Sequence, residues 1–105
     1  VKEGLIQRAV LDYLAAKKIF AYRSQSVGVW DSKKGVYRTS GVKGVPDITC
    51  IIDGKYIGIE VKTPRGKLSP AQEEFSDRIV EAGGIYLVAH SVDELESDLQ
   101  ELGLI

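Results

Sequence analysis

With 105 residues the chain has room for one hydrophobic core and not for two, so a single domain over residues 1–105 is expected. Its 44% hydrophobic and 28% charged residues are ordinary for a soluble domain. The lone Cys50 rules out a disulfide framework, and no stretch reads as a membrane span or a signal peptide, which points to the cytoplasm. The net charge of −1 hides a segregation. Residues 17–67 carry eleven Lys/Arg against four Asp/Glu, a net of +7, and residues 68–105 carry one against nine, a net of −8. That asymmetry suggests a face for polyanions set against an acidic back.

In chain order, residues 3–17 place Leu5, Ile6, Ala9, Val10, Tyr13 and Leu14 at helical spacing and predict an amphipathic first helix. Residues 19–30 and 36–40 are rich in β-formers and flank Asp31-Ser32-Lys33-Lys34-Gly35, predicting a long hairpin with a basic tip. Trp30, beside that tip, is expected to pack in a core or a dimer contact, with stacking on a base as the alternative. Residues 40–45 contain two glycines and read as a flexible approach to the next strand.

The central element is a second hairpin. Ile48–Ile52 and Lys55–Lys62 are separated only by Asp53-Gly54, a pair that favours a two-residue type I′ turn. The turn fixes the register: Ile52 faces Lys55, Cys50 faces Ile57, Ile48 faces Ile59, and one step further Asp47 faces Glu60. Opposed residues on an antiparallel pair have Cβ atoms about 4.5–5.5 Å apart, and like charges there are destabilising. At an effective dielectric near 20, two unit charges about 5 Å apart repel by roughly 3 kcal/mol. Lys62, on the same face as Glu60, neutralises only one of them. A divalent cation is the natural remaining partner. The other face of the hairpin, with Ile48, Cys50, Ile57, Ile59 and Val61, is expected to supply the core.

Beyond a loop at residues 63–67, Ser69-Pro70-Ala71-Gln72 predicts a capping box: Ser69 as N-cap, Pro70 in the first helical position, Gln72 closing the box. The helix runs to Gly83, a short apolar strand follows at 84–89, and Ser91-Val92-Asp93-Glu94 starts a last helix with a second capping box. Strand 55–62, helix and strand 84–89 form a βαβ unit with parallel strands. The order α-β-β-β-β-α-β-α gives a mixed α/β fold with helices flanking the sheet. His90, the only histidine, has no ligand partner at metal spacing and is read as structural. One His and one Cys offer no nucleophilic triad, and the glycines form no phosphate-binding loop.

Three segments, Gly44-Val45-Pro46-Asp47-Ile48, Ile59-Glu60-Val61-Lys62-Thr63 and Leu68-Ser69-Pro70-Ala71-Gln72, follow a first helix with Glu3 near its start. Together they resemble the PD-(D/E)xK nucleases, and more narrowly the VRR-NUC branch in its stand-alone, phage-like form. The resemblance implies a restriction-endonuclease-like sheet and a metal-dependent endonuclease acting on DNA in the cytoplasm of a bacterial host cell. It implies that Asp47, Glu60 and the backbone carbonyl of Val61 bind Mg²⁺ or Mn²⁺, with Glu3 binding directly or through water. Lys62 would orient the attacking water and stabilise charge on the phosphate, and Gln72 would project toward the site. No other cofactor is implied. Arg65 and Lys67, then Lys43, Arg23, Arg38, Lys33 and Lys34, are the expected DNA contacts. A symmetric homodimer acting on branched, junction-like DNA is the expected form by analogy. The competing readings are a nicking or flap nuclease, an inactive DNA-binding module of the same fold, and a protein-interaction domain with an incidental charged hairpin.

Overall fold

The structure, a computed structural model, describes residues 2–24, 29–38 and 43–105, apart from the side chains of residues 29, 30, 37 and 38. Trp30 and Arg38 are therefore placed by backbone alone, and most of the glycine-containing approach before Lys43 lies outside the described residues. The elements are α1 (Glu3–Ala16), β1 (Phe20–Arg23), β2 (Val29–Asp31), β3 (Val36–Arg38), β4 (Ile48–Ile52), β5 (Lys55–Val61), α2 (Pro70–Glu81), β6 (Ile85–Ala89) and α3 (Val92–Glu101). Four strands make the main sheet in the order β1-β4-β5-β6, and β2-β3 form a separate two-stranded ribbon.

The central hairpin has the register that its turn demands. Asp53 and Gly54 both take positive φ, 51° and 78°, as a type I′ turn requires. Ile52 pairs with Lys55, Cys50 with Ile57 and Ile48 with Ile59. Strand β6 then adds in parallel, with Gly58 beside Tyr86 and Glu60 beside Val88. The alternation divides the hairpin by face. Ile48, Cys50, Ile57, Ile59 and Val61 are fully buried in a core shared with Ile6, Val10 and Leu14 of α1 and Leu95 and Leu99 of α3. Each such aliphatic side chain contributes roughly 1.5–3 kcal/mol by leaving water.

Residues 19–30 differ from the single strand expected. They hold two strands in different sheets: β2 pairs with β3 as the hairpin predicts, whereas β1 pairs antiparallel with β4. Without β1, β4 would be an open edge beside the charged end of the hairpin. The switch occurs at Ser24, whose N–H donates to the Asp47 carbonyl (3.0 Å) and whose hydroxyl donates to the Pro46 carbonyl (2.7 Å). At the ribbon tip Asp31 accepts hydrogen bonds from the backbone N–H groups of Lys33 and Lys34, closing the turn that carries both lysines.

On α1 the buried stripe is narrower than the spacing suggests. Ile6, Val10 and Leu14 are buried, while Leu5 is 64% exposed and Ala9 is exposed as well. Tyr13 is half-buried, with its hydroxyl donating to Glu96 of α3 at 2.9 Å. Helix α2 carries the full predicted capping box: Ser69 Oγ accepts from Gln72 N–H, and Gln72 Oε1 accepts from Ser69 N–H. The second box is only half made. Ser91 Oγ accepts from Glu94 N–H, but the Glu94 carboxylate takes the backbone N–H of His90 (3.3 Å) and its Nδ1 (2.9 Å) instead of closing on Ser91. That gives His90 its structural role, because one residue before the cap it offers Glu94 two donors in place of one.

Candidate metal centre

Asp47 immediately precedes Ile48, the first residue of β4, and Glu60 is the penultimate residue of β5. Both are 1% exposed, unusual burial for two carboxylates. The first turn of α1 brings Glu3 to them. Glu3, Asp47 and Glu60 each present an oxygen such that the three lie within 4.8 Å of one another.

Backbone geometry holds Asp47 in place. Its Oδ2 accepts the N–H of Val61 at 2.8 Å, while Ser24 fixes its carbonyl from the other side. Pro46 is fully buried, with its ring over Gly58, where any side chain would collide with the ring's Cγ. Gly44 has φ +85°, and a Cβ there would run into the carbonyl of Ala71 at the start of α2. The Gly-Val-Pro-Asp and Ser-Pro-Ala-Gln segments are thus packed on one another. Close approach, more than flexibility, is what Gly44 provides.

Lys62 lies 3.9 Å from Glu60 Oε2, with its side chain 15% exposed. Its stem is covered by the turn at Gly66, where a Cβ would meet the Lys62 Cβ and Cδ at 3.3 Å. Arg65 and Lys67 flank that glycine and are exposed, so the loop that pins Lys62 also carries two solvent-facing cations. One ammonium against three carboxylates leaves the site strongly acidic. Burial foremost, then a proton shared with Asp47 and the charge of Asp47, push the Glu60 carboxyl up to about 8; Lys62 opposes this and Glu3 adds to it. Glu60 Oε1 is buried with no hydrogen-bond partner. Two buried carboxylates converging with a third, an all-oxygen donor set, fit a hard divalent cation such as Mg²⁺ or Mn²⁺.

The remaining expected residues are less tightly gathered. Gln72 has its Oε1 engaged in the capping box, leaving its amide nitrogen for another partner. Arg23 donates to Gln7 Oε1 (3.4 Å), a buried residue one helical turn beyond Glu3. Lys33 and Lys34 are exposed at the tip of the separate ribbon, and the Arg38 side chain lies outside the described residues. Lys43 is exposed and lines a cavity of about 190 Å³ with Ala71, Glu74, Phe75 and Arg78. A larger apolar cavity, about 390 Å³, lies between α2 and the sheet, lined by Tyr56, Phe75, Arg78, Ile79, Ala82 and Gly84; none of the acidic residues line it.

Sequence reasoning missed Tyr86. It stands beside Gly58 in β6, on the face of Glu60, and its hydroxyl is buried without a partner. In an apolar strand a tyrosine reads as core filling, so only the parallel register reveals where it points.

The family model for the VRR-NUC domain matches residues 29–93, more than half of the chain. No curated protein matches it. Two solved structures share the fold: a "VRR_NUC domain" with TM-score 0.67 and 23% identity over 94% of each chain, and a "VRR_NUC domain protein" with TM-score 0.69 and 21% identity over 95% of this chain and 86% of that one. The family match takes in Asp47, Glu60, Lys62 and Gln72, the residues just described. The chain belongs to the VRR-NUC family of nuclease domains.

Proposed function

We propose that this domain is a divalent-metal-dependent endonuclease that hydrolyses phosphodiester bonds in DNA. The observation that carries the proposal is the convergence of Glu3, Asp47 and Glu60, two of them 1% exposed. Two buried carboxylates in contact destabilise a fold unless something positive repays them, and Lys62 at 3.9 Å repays only one. Asp47, Glu60 and Glu3 would hold Mg²⁺ or Mn²⁺, with the Val61 carbonyl as a further oxygen ligand. When bound, such an ion supplies a water of lowered pKa and a Lewis acid at the phosphate.

The protein's own groups have separable tasks. Glu60 must give up its proton to serve as a ligand. Lys62, pinned by the Gly66 turn, orients the attacking water and places its charge where negative charge develops on the phosphate. Arg65 and Lys67 grip the phosphates on either side of the scissile one. Gln72 turns its free amide toward the same substrate. Lys43, Arg23, Arg38, Lys33 and Lys34 extend the contact to more distant phosphates. By family analogy the preferred substrate is branched, junction-like DNA, and a symmetric homodimer would present two such sites to it.

The test is cleavage of labelled linear, nicked, flap and four-way-junction DNA with Mg²⁺, Mn²⁺ or EDTA, alongside Asp47→Asn. Cleavage is expected with either ion and not with EDTA, and it should be abolished by Asp47→Asn. Cleavage that survives EDTA or the substitution would sink the mechanism. Binding without cleavage under every condition would assign the domain to DNA binding alone.

A further inference from the structure

Among the described residues, two buried side-chain polar atoms lack a hydrogen-bond partner: Glu60 Oε1 and Tyr86 Oη. They are complementary, one an acceptor and the other a donor. They also share one surface of the sheet. Tyr86 pairs with Gly58 in the parallel ladder, and Glu60 lies two residues beyond Gly58, so both side chains rise from the same face on adjacent strands. Leaving a buried donor and a buried acceptor unsatisfied costs about 1–3 kcal/mol each. A fold seldom carries two such costs side by side unless function joins them.

We propose that Tyr86 is a positioning residue of the acidic site: its hydroxyl supplies the hydrogen bond that Glu60 Oε1 lacks, through one water molecule, and so fixes the carboxylate that binds the cation. The inference rests on the metal-site reading above and adds a residue to it.

The surroundings limit the alternatives. The other hydroxyls in this layer are already matched, Tyr56 Oη with Thr49 Oγ1 at 3.3 Å. Without a side chain at Gly58, the Pro46 ring, Ile79 and the Tyr56 hydroxyl close in over that position, so the layer beside Tyr86 is filled. Burial, then the negative charges of Glu60 and Asp47, hold the Tyr86 proton firmly on its oxygen, which keeps the hydroxyl a donor. A ligating carboxylate held by an outer hydrogen bond is the usual arrangement in metal sites, and losing such a partner typically weakens metal affinity by about 10–100-fold.

The experiment is a calorimetric titration of the metal-free protein with Mn²⁺ at pH 8, comparing wild type, Tyr86→Phe and Tyr56→Phe, each with its melting temperature in EDTA. Tyr86→Phe removes the hydroxyl and with it the bond proposed to Glu60 Oε1. It should melt in EDTA modestly below the wild-type temperature, by no more than one lost hydrogen bond, and bind Mn²⁺ at least about tenfold more weakly. Tyr56→Phe, which breaks a bond within the same layer, should bind Mn²⁺ like wild type. Equal Mn²⁺ affinity in wild type and Tyr86→Phe would overturn this inference alone, and failure of the wild-type protein to bind Mn²⁺ would overturn the metal-site reading itself. Should Tyr86→Phe not fold, wild-type protein carrying ¹³Cζ-labelled tyrosine decides the matter. The Tyr86 resonance should move on adding Mg²⁺, and an unmoved Tyr86 resonance in metal-loaded protein would contradict the proposal.

Discussion

Glu60 sits at the point where stability and function pull against each other. Its carboxyl is raised to about 8 in the folded protein, by burial first and by Asp47 next, against about 4.3 in an unfolded chain. The folded state therefore holds a proton that the unfolded state has lost between those values. By linkage, the stability this proton supports is fully present below the unfolded pKa and is lost as pH rises through the folded one. The metal-free protein should show a melting temperature that falls between pH 5 and 8 in EDTA. Adding Mg²⁺ at pH 8 should restore it, because an ion that binds only the folded state stabilises by mass action. A thermal melt across pH with and without Mg²⁺ checks both halves. Asp47→Asn keeps an acceptor for the Val61 N–H while removing one of the two charges, so it should melt higher than wild type in EDTA and lose the Mg²⁺ effect. Lys62→Ala is expected to separate binding from chemistry. Metal affinity should persist or rise, while kcat falls by about 10²–10³, the usual cost of removing one preorganised group that faces developing charge.

At the scale of elements, the site depends on how three segments meet. The hairpin register was legible in the sequence because Asp53-Gly54 admits one turn type and two residues settle the pairing of ten. The burial of Ile48, Cys50, Ile57, Ile59 and Val61 followed from alternation alone. The fate of residues 19–30 was not legible. Ser24, Ser26 and Gly28 give only a weak break signal within the β-rich stretch, and what divides it is Ser24 bonding to Pro46 and Asp47, residues more than twenty positions away. Glu94 illustrates the same limit, since the capping pattern was present but His90 outcompeted Ser91 for the carboxylate. Close approach was equally hidden. Gly44 reads locally as a flexible hinge, whereas the Ala71 carbonyl leaves no room for a larger residue. Gly44→Ala should destabilise the fold by about 1–3 kcal/mol, from combined positive-φ strain and overpacking, and cleavage should fall more than stability because Asp47 lies three residues away. Ser69→Ala, which opens the α2 capping box, should cost about 1 kcal/mol in denaturant unfolding. It removes only the acceptor of the Gln72 N–H and leaves Gln72 Oε1 on the backbone N–H of residue 69, so cleavage should fall no further than that stability loss.

Across the whole molecule, charge is divided along the chain. The basic stretch, residues 17–67, contains the hairpin and the loop that covers Lys62, while α2 and α3 are predominantly acidic. A near-neutral total thus conceals a local field suited to a polyanion. DNA binding should weaken steeply with salt, each phosphate contact contributing about 0.9 to the slope of log affinity against log salt concentration. Arg65→Ala combined with Lys67→Ala should reduce that slope by about two such contacts, whereas Lys33→Ala with Lys34→Ala, on the separate ribbon, reports whether the ribbon reaches the duplex at all. Equilibrium binding at several salt concentrations, in the presence of Ca²⁺ to hold the substrate uncleaved, supplies both slopes. The family was legible from three short segments because their chemistry is concentrated there. Tyr86 was not, because the βαβ pattern predicts parallel strands but leaves open the register that sets Tyr86 beside Gly58.

The central claim is that Glu3, Asp47 and Glu60 together hold a divalent cation. The most direct measurement is an anomalous difference map from crystals of the wild-type protein grown with Mn²⁺. A peak among these three residues is predicted, with oxygens of Asp47 and Glu60 at about 2.0–2.3 Å from it. A clear map with no peak there, in crystals of protein that cleaves DNA with Mn²⁺, would contradict the account.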